Sequence, residues 1–277
     1  MMQTIRRGLA PEREATILQV FLQASGYPVN PDGRFGGNTD LALRAFQRDK
    51  GLIVDGVAGE KTWTTLFALH PALLVELSRK WLSQQDIEGF ASQHALDVPV
   101  VRAVYSVEAG GVGFLGLKPK ILFEGHVFWR ELQRVGVDPR RHSKGNEDIL
   151  FPRWNPKSYV GGLAEHDRLE RAATIRRDAA LRSASWGLFQ ILGLHAEALK
   201  FPDVEAFVAA MSRSEADQLS AFGNFIEVNL YRGKSLLAWL KARDWAAFAA
   251  GYNGPGFATN HYDTKLAIAY AKYMAAG

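Results

Sequence analysis

One short pattern occurs twice near the start of the chain, and it constrains the fold more than any other stretch. Asp32-Gly-Arg-Phe-Gly-Gly-Asn-Thr39 returns as Asp55-Gly-Val-Ala-Gly-Glu-Lys-Thr62, an Asp-Gly-x-x-Gly-x-x-Thr motif displaced by 23 positions. A displacement of that size means two copies of one small supersecondary unit. Each copy reads as a tight turn in which Asp caps the local backbone and Gly takes positive φ. A helix follows each turn: Thr39 leads into Leu41, Leu43, Ala45 and Phe46, and Thr62 into Trp63, Leu66 and Phe67. Ahead of the first turn Ile17, Leu18, Phe21 and Leu22 fall at helical spacing. The reading is a compact three-helix unit with two equivalent loops, filling residues 1–70.

The remainder, residues 71–277, is large enough for a second domain with its own core. Of the 277 residues 47% are hydrophobic and 22% charged, the balance of a soluble globular protein. No cysteine is present, which excludes disulfides, a thiolate zinc site and a Cys nucleophile. Seven histidines are scattered without His-Glu-x-x-His or paired spacing, so no metal and no cofactor is expected. A net charge of +4 suits an anionic polymer or surface but is too weak to argue for nucleic acid. No run of 18 apolar residues spans a membrane, and the opening Met-Met-Gln-Thr-Ile-Arg-Arg-Gly has no apolar segment after its charges. The expectation is synthesis and retention in the cytoplasm until something else releases the protein.

Pro71 follows His70 without a Gly/Ser-rich linker, so the second domain begins directly in a helix, expected over 73–90. A second apolar helix, with Pro99 in its first turn, leads to Glu108, and Gly110, Gly111 and Gly113 follow at once. A carboxyl at the inner end of an apolar helix is the setting that raises a Glu pKa and keeps its proton available. Taken alone, the stretch reads first as a helix-end Glu facing solvent. Glu124 stands between a short strand expected over 121–123 and a helix over 127–132, flanked by apolar residues. It either pairs with a buried Arg or Lys or belongs to a site. Residues 138–162 are long, aperiodic and proline-containing, hence functional or mobile. Trp154 and Tyr159 within them either stack on a ligand or pack beneath the loop. A charge-rich helix follows over 163–181, its acids and arginines reading as a solvated face. Gln190 lies in Gly187-Leu-Phe-Gln-Ile as a satisfied core amide or a ligand-orienting group. Tyr252 and Asn253 occupy a Gly/Pro-rich turn suited to a sugar-contacting rim. The last segment, 265–274, reads as a core-packing helix ahead of a membrane-active one.

Two resemblances organise these pieces. Residues 8–70 resemble the peptidoglycan-binding domain fused to cell-wall hydrolases, through Leu18-Gln19, Leu22, Gly26-Tyr27, Asp32-Gly33, Phe35-Gly36, Thr39, Ala45-Phe46-Gln47, Gly51-Leu52, Asp55-Gly56, Gly59, Thr62 and Trp63. That implies a wall anchor, with Asp32, Phe35, Asp55 and Trp63 as its candidates. Residues 95–275 carry Glu108-Ala-Gly-Gly, then Gly187-Leu-Phe-Gln190-Ile, then Gly251-Tyr252-Asn253-Gly, the segment order of the lysozyme-like superfamily. Ser106-Val-Glu-Ala-Gly-Gly, Pro119-Lys-Ile-Leu-Phe-Glu-Gly-His-Val-Phe-Trp and Ser183-Ala-Ser-Trp-Gly-Leu-Phe-Gln-Ile-Leu-Gly are similar, more closely, to the N-acetylmuramidase domain of phage endolysins.

The fold that follows is mainly α: a three-helix wall-binding domain before a larger lysozyme-like domain with at most a short β element. The resemblance implies cleavage of the β-1,4 bond between N-acetylmuramic acid and N-acetylglucosamine, with Glu108 as general acid. Glu124 is the best second carboxylate, ahead of Asp97, Glu131 and Asp138. Gln190, Tyr252, Asn253, Phe189, Trp154 and Tyr159 would hold the sugar. Ala109 departs from the Ser that many relatives place after the acid, which puts a helper hydrogen bond in doubt. The partner implied is bacterial peptidoglycan, met in the periplasm after release by a monomer that does not insert stably in membranes. A lytic transglycosylase leaving anhydro ends, a non-catalytic wall binder and a zinc amidase are the readings set against it.

Overall fold

The repeat folds as two copies of one loop. In the computed structural model, which describes residues 2–108 and 111–275 apart from the side chains of Glu108 and Pro255, β1 (Ile5–Arg6) pairs antiparallel with β2 (Val57–Ala58). Helices α1 (Glu12–Ala24), α2 (Gly37–Asp49) and α3 (Glu60–Leu69) form the three-helix unit. Gly33 and Gly56 take φ of 76° and 70°, and the Asp before each accepts from the backbone N–H two residues on, at 2.9 Å in both copies. A buried glutamine clamps each loop from the preceding helix. Gln19 Nε2 donates to Asp32 Oδ1 (2.7 Å), Arg34 O (3.0 Å) and Thr39 Oγ1 (3.0 Å), while its Oε1 accepts from Gly33 N (2.9 Å). Gln47 repeats the set on Asp55 Oδ1, Val57 O, Thr62 Oγ1 and Gly56 N. Each amide thereby satisfies a turn that would otherwise bury open donors and acceptors.

The helix expected over 73–90 is two helices, α4 (Pro71–Ser78) and α5 (Gln84–His94). A capping box at Ser83 starts the second: Ser83 Oγ accepts from Asp86 N and Asp86 Oδ2 accepts from Ser83 N. The first core does not stop at residue 70, because Leu77 is buried in it with Leu73, Leu74 and Trp81 packed alongside.

The second core begins at Ile87 and is built around α6 (Val98–Glu108), whose Val100, Val101, Ala103 and Val104 are buried. Two short strands, β3 (Phe114–Leu115) and β4 (Lys118–Pro119), form a hairpin. Then β5 (Ile121–Phe123) leads into α7 (Gly125–Arg134). Helix α8 (Ala164–Arg182) delivers the chain to β6 (Ala184–Trp186) and β7 (Ile191–Leu192). The sheet order is β5-β6-β7, antiparallel throughout, with Leu122 opposite Ser185 and Ser185 opposite Leu192. The remaining elements are α9 (Val204–Arg213), α10 (Glu215–Val228), the hairpin β8 (Leu230–Tyr231) and β9 (Lys234–Ser235), α11 (Leu236–Lys241), α12 (Trp245–Asn253) and α13 (Tyr262–Ala275). Helix α13 packs along α6 and buries Leu266, the core-packing outcome.

Two expectations are corrected between α7 and β6. The long loop is pinned rather than loose, because Ile149, Leu150 and Phe151 are buried and 3-10 turns form at Pro139–His142 and Pro156–Ser158. The charged face of α8 is not uniformly solvated. Glu165 is 0% exposed and Arg168 3%, and they pair at 2.6 Å inside the domain. Glu165 also accepts from Phe123 N, Val160 N and Gly161 N, and Arg168 donates to Phe123 O and Asp148 O. The pair stitches the loop to β5.

Candidate active site

The acid predicted from the sequence ends α6, but the side chain of Glu108, with Ala109 and Gly110, lies outside the described residues. What the structure describes is how the chain on either side is held. Gly113 N donates to Glu215 Oε1 (2.9 Å), while Gly113 O accepts from Lys120 N (2.8 Å) and Gln218 Nε2 (3.3 Å). Gln218 Oε1 accepts from Leu188 N (2.7 Å), and Gly187 N donates to Lys120 O (2.7 Å). Both acceptor side chains are 1% exposed and come from the first turn of α10. A Cβ on Gly187 would lie 2.5 Å from Gln218 Cδ, and one on Gly113 2.9 Å from Glu215 Cγ, so the close approach requires glycine at both places. Sequence reasoning missed Glu215 and Gln218. They are one helical turn apart at a helix start, and nothing local distinguishes them from an ordinary acidic first turn.

Two of the three sequence segments meet, the one around Gln190 and the one around Tyr252. Gln190, in the left-handed region at φ 49°, is exposed, and its amide is braced by Ser185 Oγ (2.9 Å), Gly187 O (2.7 Å) and Lys120 O (3.4 Å). Tyr252 donates its hydroxyl to Phe189 O (3.1 Å) and its ring stacks on Phe248 (5.5 Å), tying α12 to the β6–β7 turn. Asn253 closes α12 beside it. Phe189 is buried at 5% exposure with its ring stacked on Phe222 (4.2 Å), which places it in the core behind the site.

Alternation along β5 sends Ile121 and Phe123 into the core and places Lys120, Leu122 and Glu124 on the opposite, half-buried face. Glu124 is at the far end of that face. Among the described residues it pairs with neither buried Arg nor Lys: its carboxylate accepts from the Tyr159 hydroxyl and lies 3.3 Å from His126 Nδ1. Burial, then the carboxylate, push the Tyr159 hydroxyl pKa well above its ordinary value. Burial depresses His126, more than the adjacent Glu124 raises it. Trp154 stands 63% exposed on the same loop.

In the small module Asp32 and Asp55 are exposed turn residues, whereas Phe35 (7% exposed) and Trp63 (3%) are core, the Trp63 indole donating to Gln3 O (3.0 Å). The two loops line different spaces. Asp55, with Ile53, Gly59 and Lys61, borders a cavity of about 360 Å³ within the small module. Asp32 and Arg34 border a cleft of about 990 Å³ whose other wall is Lys118, Lys120, Gly161 and Gly162. Among the described residues no group of three or more His, Asp and Glu side chains gathers to hold a metal.

A repeat-built module docked on a mainly α-helical domain with one small three-stranded sheet defines a two-module glycan hydrolase of the lysozyme-like kind. The model of the N-acetylmuramidase family matches residues 97–274, and that of the putative peptidoglycan binding domain matches 12–66. The crystal structure of the Burkholderia AP3 phage endolysin is 38% identical, with 99% of this chain and 100% of that chain covered at a TM-score of 0.67. The chain belongs to the N-acetylmuramidase family and is a peptidoglycan hydrolase.

Proposed function

We propose that Glu108 is the general acid of this hydrolase and that the chain serves as an endolysin. Glu108 protonates the leaving oxygen of the β-1,4 bond, an oxocarbenium-like centre develops on the muramic acid, and water completes the cleavage. The observation that carries the reading is the clamp on Gly113. Three side-chain and backbone bonds fix the chain five residues beyond Glu108 to Lys120, just ahead of β5, and to α10, which suits an acid that must stay within hydrogen-bond reach of one oxygen. Gln190, exposed yet braced, is the orienting amide on the sugar side, with Tyr252 and Asn253 behind it.

Glu124 takes an orienting part in this reading. It stands about 13 Å of strand from Lys120, and its carboxylate is engaged by Tyr159, so it holds the loop that carries Trp154. The outward cavity at Asp55 is the wall contact of the small module. The protein acts as a monomer on the periplasmic side after cytoplasmic synthesis; no helix among the described residues is long and apolar enough to cross a membrane.

Mass spectrometry of digested peptidoglycan tests the chemistry. Reducing muramic acid ends are expected, and anhydro ends or cut peptides would overturn it. Glu108→Gln is expected to lower turnover about a hundred-fold or more while wall binding persists, and Glu124→Gln to retain turnover. Loss in the second variant with the fold intact moves Glu124 into the chemistry.

A further inference from the structure

One difference between the two copies of the repeat points across to the catalytic domain. Gln19 and Gln47 are matching residues, and seven positions before each stand Glu12 and Asp40. Asp40 pairs within its own module with Arg44 (2.9 Å), whose guanidinium also donates to Val54 O (3.2 Å) and Asp55 O (2.9 Å). Where the second copy has Arg44, the first has Thr16, whose hydroxyl bonds back to Glu12 O (2.8 Å). Glu12 takes its cation from the other domain instead: Oε1 lies 2.7 Å from Lys120 Nζ, with 28% and 32% of the two side chains exposed.

The same carboxylate lies against the backbone of Gly111, where a methyl group would fall inside its contact radius. On its other side Gly33 makes room, since a Cβ there would meet Glu12 Cγ at 2.6 Å. The next residue, Arg13, stands beside the Tyr105 hydroxyl and lies over the Trp81 ring at 5.0 Å. Tyr105 precedes Glu108 by three residues and Gly111 follows it by three. The first turn of α1 therefore grips the acid-bearing helix on one side of Glu108 and its exit loop on the other. Lys120 passes the contact on, because its backbone bonds to both Gly113 and Gly187.

We propose that Glu12 is a positioning residue for the glycosidase reaction: the wall-binding module completes the catalytic centre by fixing Gly111, three residues past Glu108, and Lys120. The proposal rests on Glu108 being the acid. Misplacement of a catalytic group by about 1 Å is enough to cost orders of magnitude in rate, so a contact of this kind acts on turnover more than on affinity.

The test uses the full chain and short soluble glycan fragments of two disaccharide units, on which wall tethering gives no advantage. Glu12→Gln is expected to lower kcat about ten-fold with KM within about two-fold. Lys120→Met should do the same, and the double variant should be no worse than either single, as for two partners of one interaction. Lys120→Arg, which keeps the ion pair, should retain turnover, so the comparison of Lys120→Met with Lys120→Arg decides the matter if Glu12→Gln folds poorly. Asp40→Asn removes the matching charge from the second copy and should leave kcat on the fragments unchanged. Wild-type kcat in Glu12→Gln, or a loss confined to insoluble walls, overturns the proposal. Undiminished turnover in Glu108→Gln would instead overturn the assignment of the acid.

Discussion

Glu165 and Arg168 show how little a charge pattern says about a single residue. Both sit on a helix whose periodicity predicts a wet face, yet they are fully buried, because the loop before α8 folds back and needs its backbone N–H and C=O groups satisfied. Removing one member of such a pair strands the other charge in the interior. Glu165→Ala is therefore expected to cost about 3–5 kcal/mol, read as a lowered urea midpoint at unchanged slope; a cost below about 1 kcal/mol would mean that water reaches Arg168. Gln218 belongs to the same category: one amide joins Gly113, Leu188 and Met211. Its role cannot be seen from its neighbours in sequence, since its partners stand 105, 30 and 7 positions away.

At the scale of elements, the repeated loops were the most legible part of the chain. The Asp-Gly turns announce themselves because Asp capping and positive-φ Gly are local demands. The clamp is less local, yet it repeats too, and Gln47→Ala tests it by leaving Gly56 N, Val57 O and Asp55 Oδ1 without that partner. The expected loss is about 1–3 kcal/mol, with weaker pelleting on insoluble peptidoglycan; unchanged stability and pelleting would remove the clamp from the wall contact. Of the sheet, β5 was readable as an apolar run entering a helix, whereas β6 and β7 were not, being stretches of two or three residues defined by pairing. The break between α4 and α5 was also missed, although Ser83 and Asp86 spell a capping box.

For the whole molecule the clearest pH lever is histidine. Burial holds His166 and His195 below the ordinary value near 6.5, the first despite donating to Pro119 O, the second helped by Arg182. His126 is shifted the same way. A depressed folded pKa means the unfolded chain takes up protons first, so this stability is complete above about pH 6.5 and drains as pH falls toward the folded values. Asp148, held low by Arg171, and Glu197, where burial is outweighed by Arg182, a backbone N–H and Arg134 together, withdraw their share only below the carboxylate range. The thermal midpoint should accordingly fall between pH 7 and 5, and His195→Gln should flatten that fall. A midpoint constant across the window would show that these rings accept protons without cost.

The sequence by itself determined the two modules, the mainly helical fold, the turns of the repeat and the order in which Glu108, Gln190 and Tyr252 appear. All of these rest on periodicity, turn chemistry or motif, which act over a few residues. Only the tertiary structure decided which polar side chains are buried, that Phe189, Phe35 and Trp63 are core, that Glu124 is engaged by Tyr159, and that Glu12 reaches Lys120. Each of those depends on what long-range packing brings alongside, and no local pattern of residues encodes a neighbour a hundred positions away.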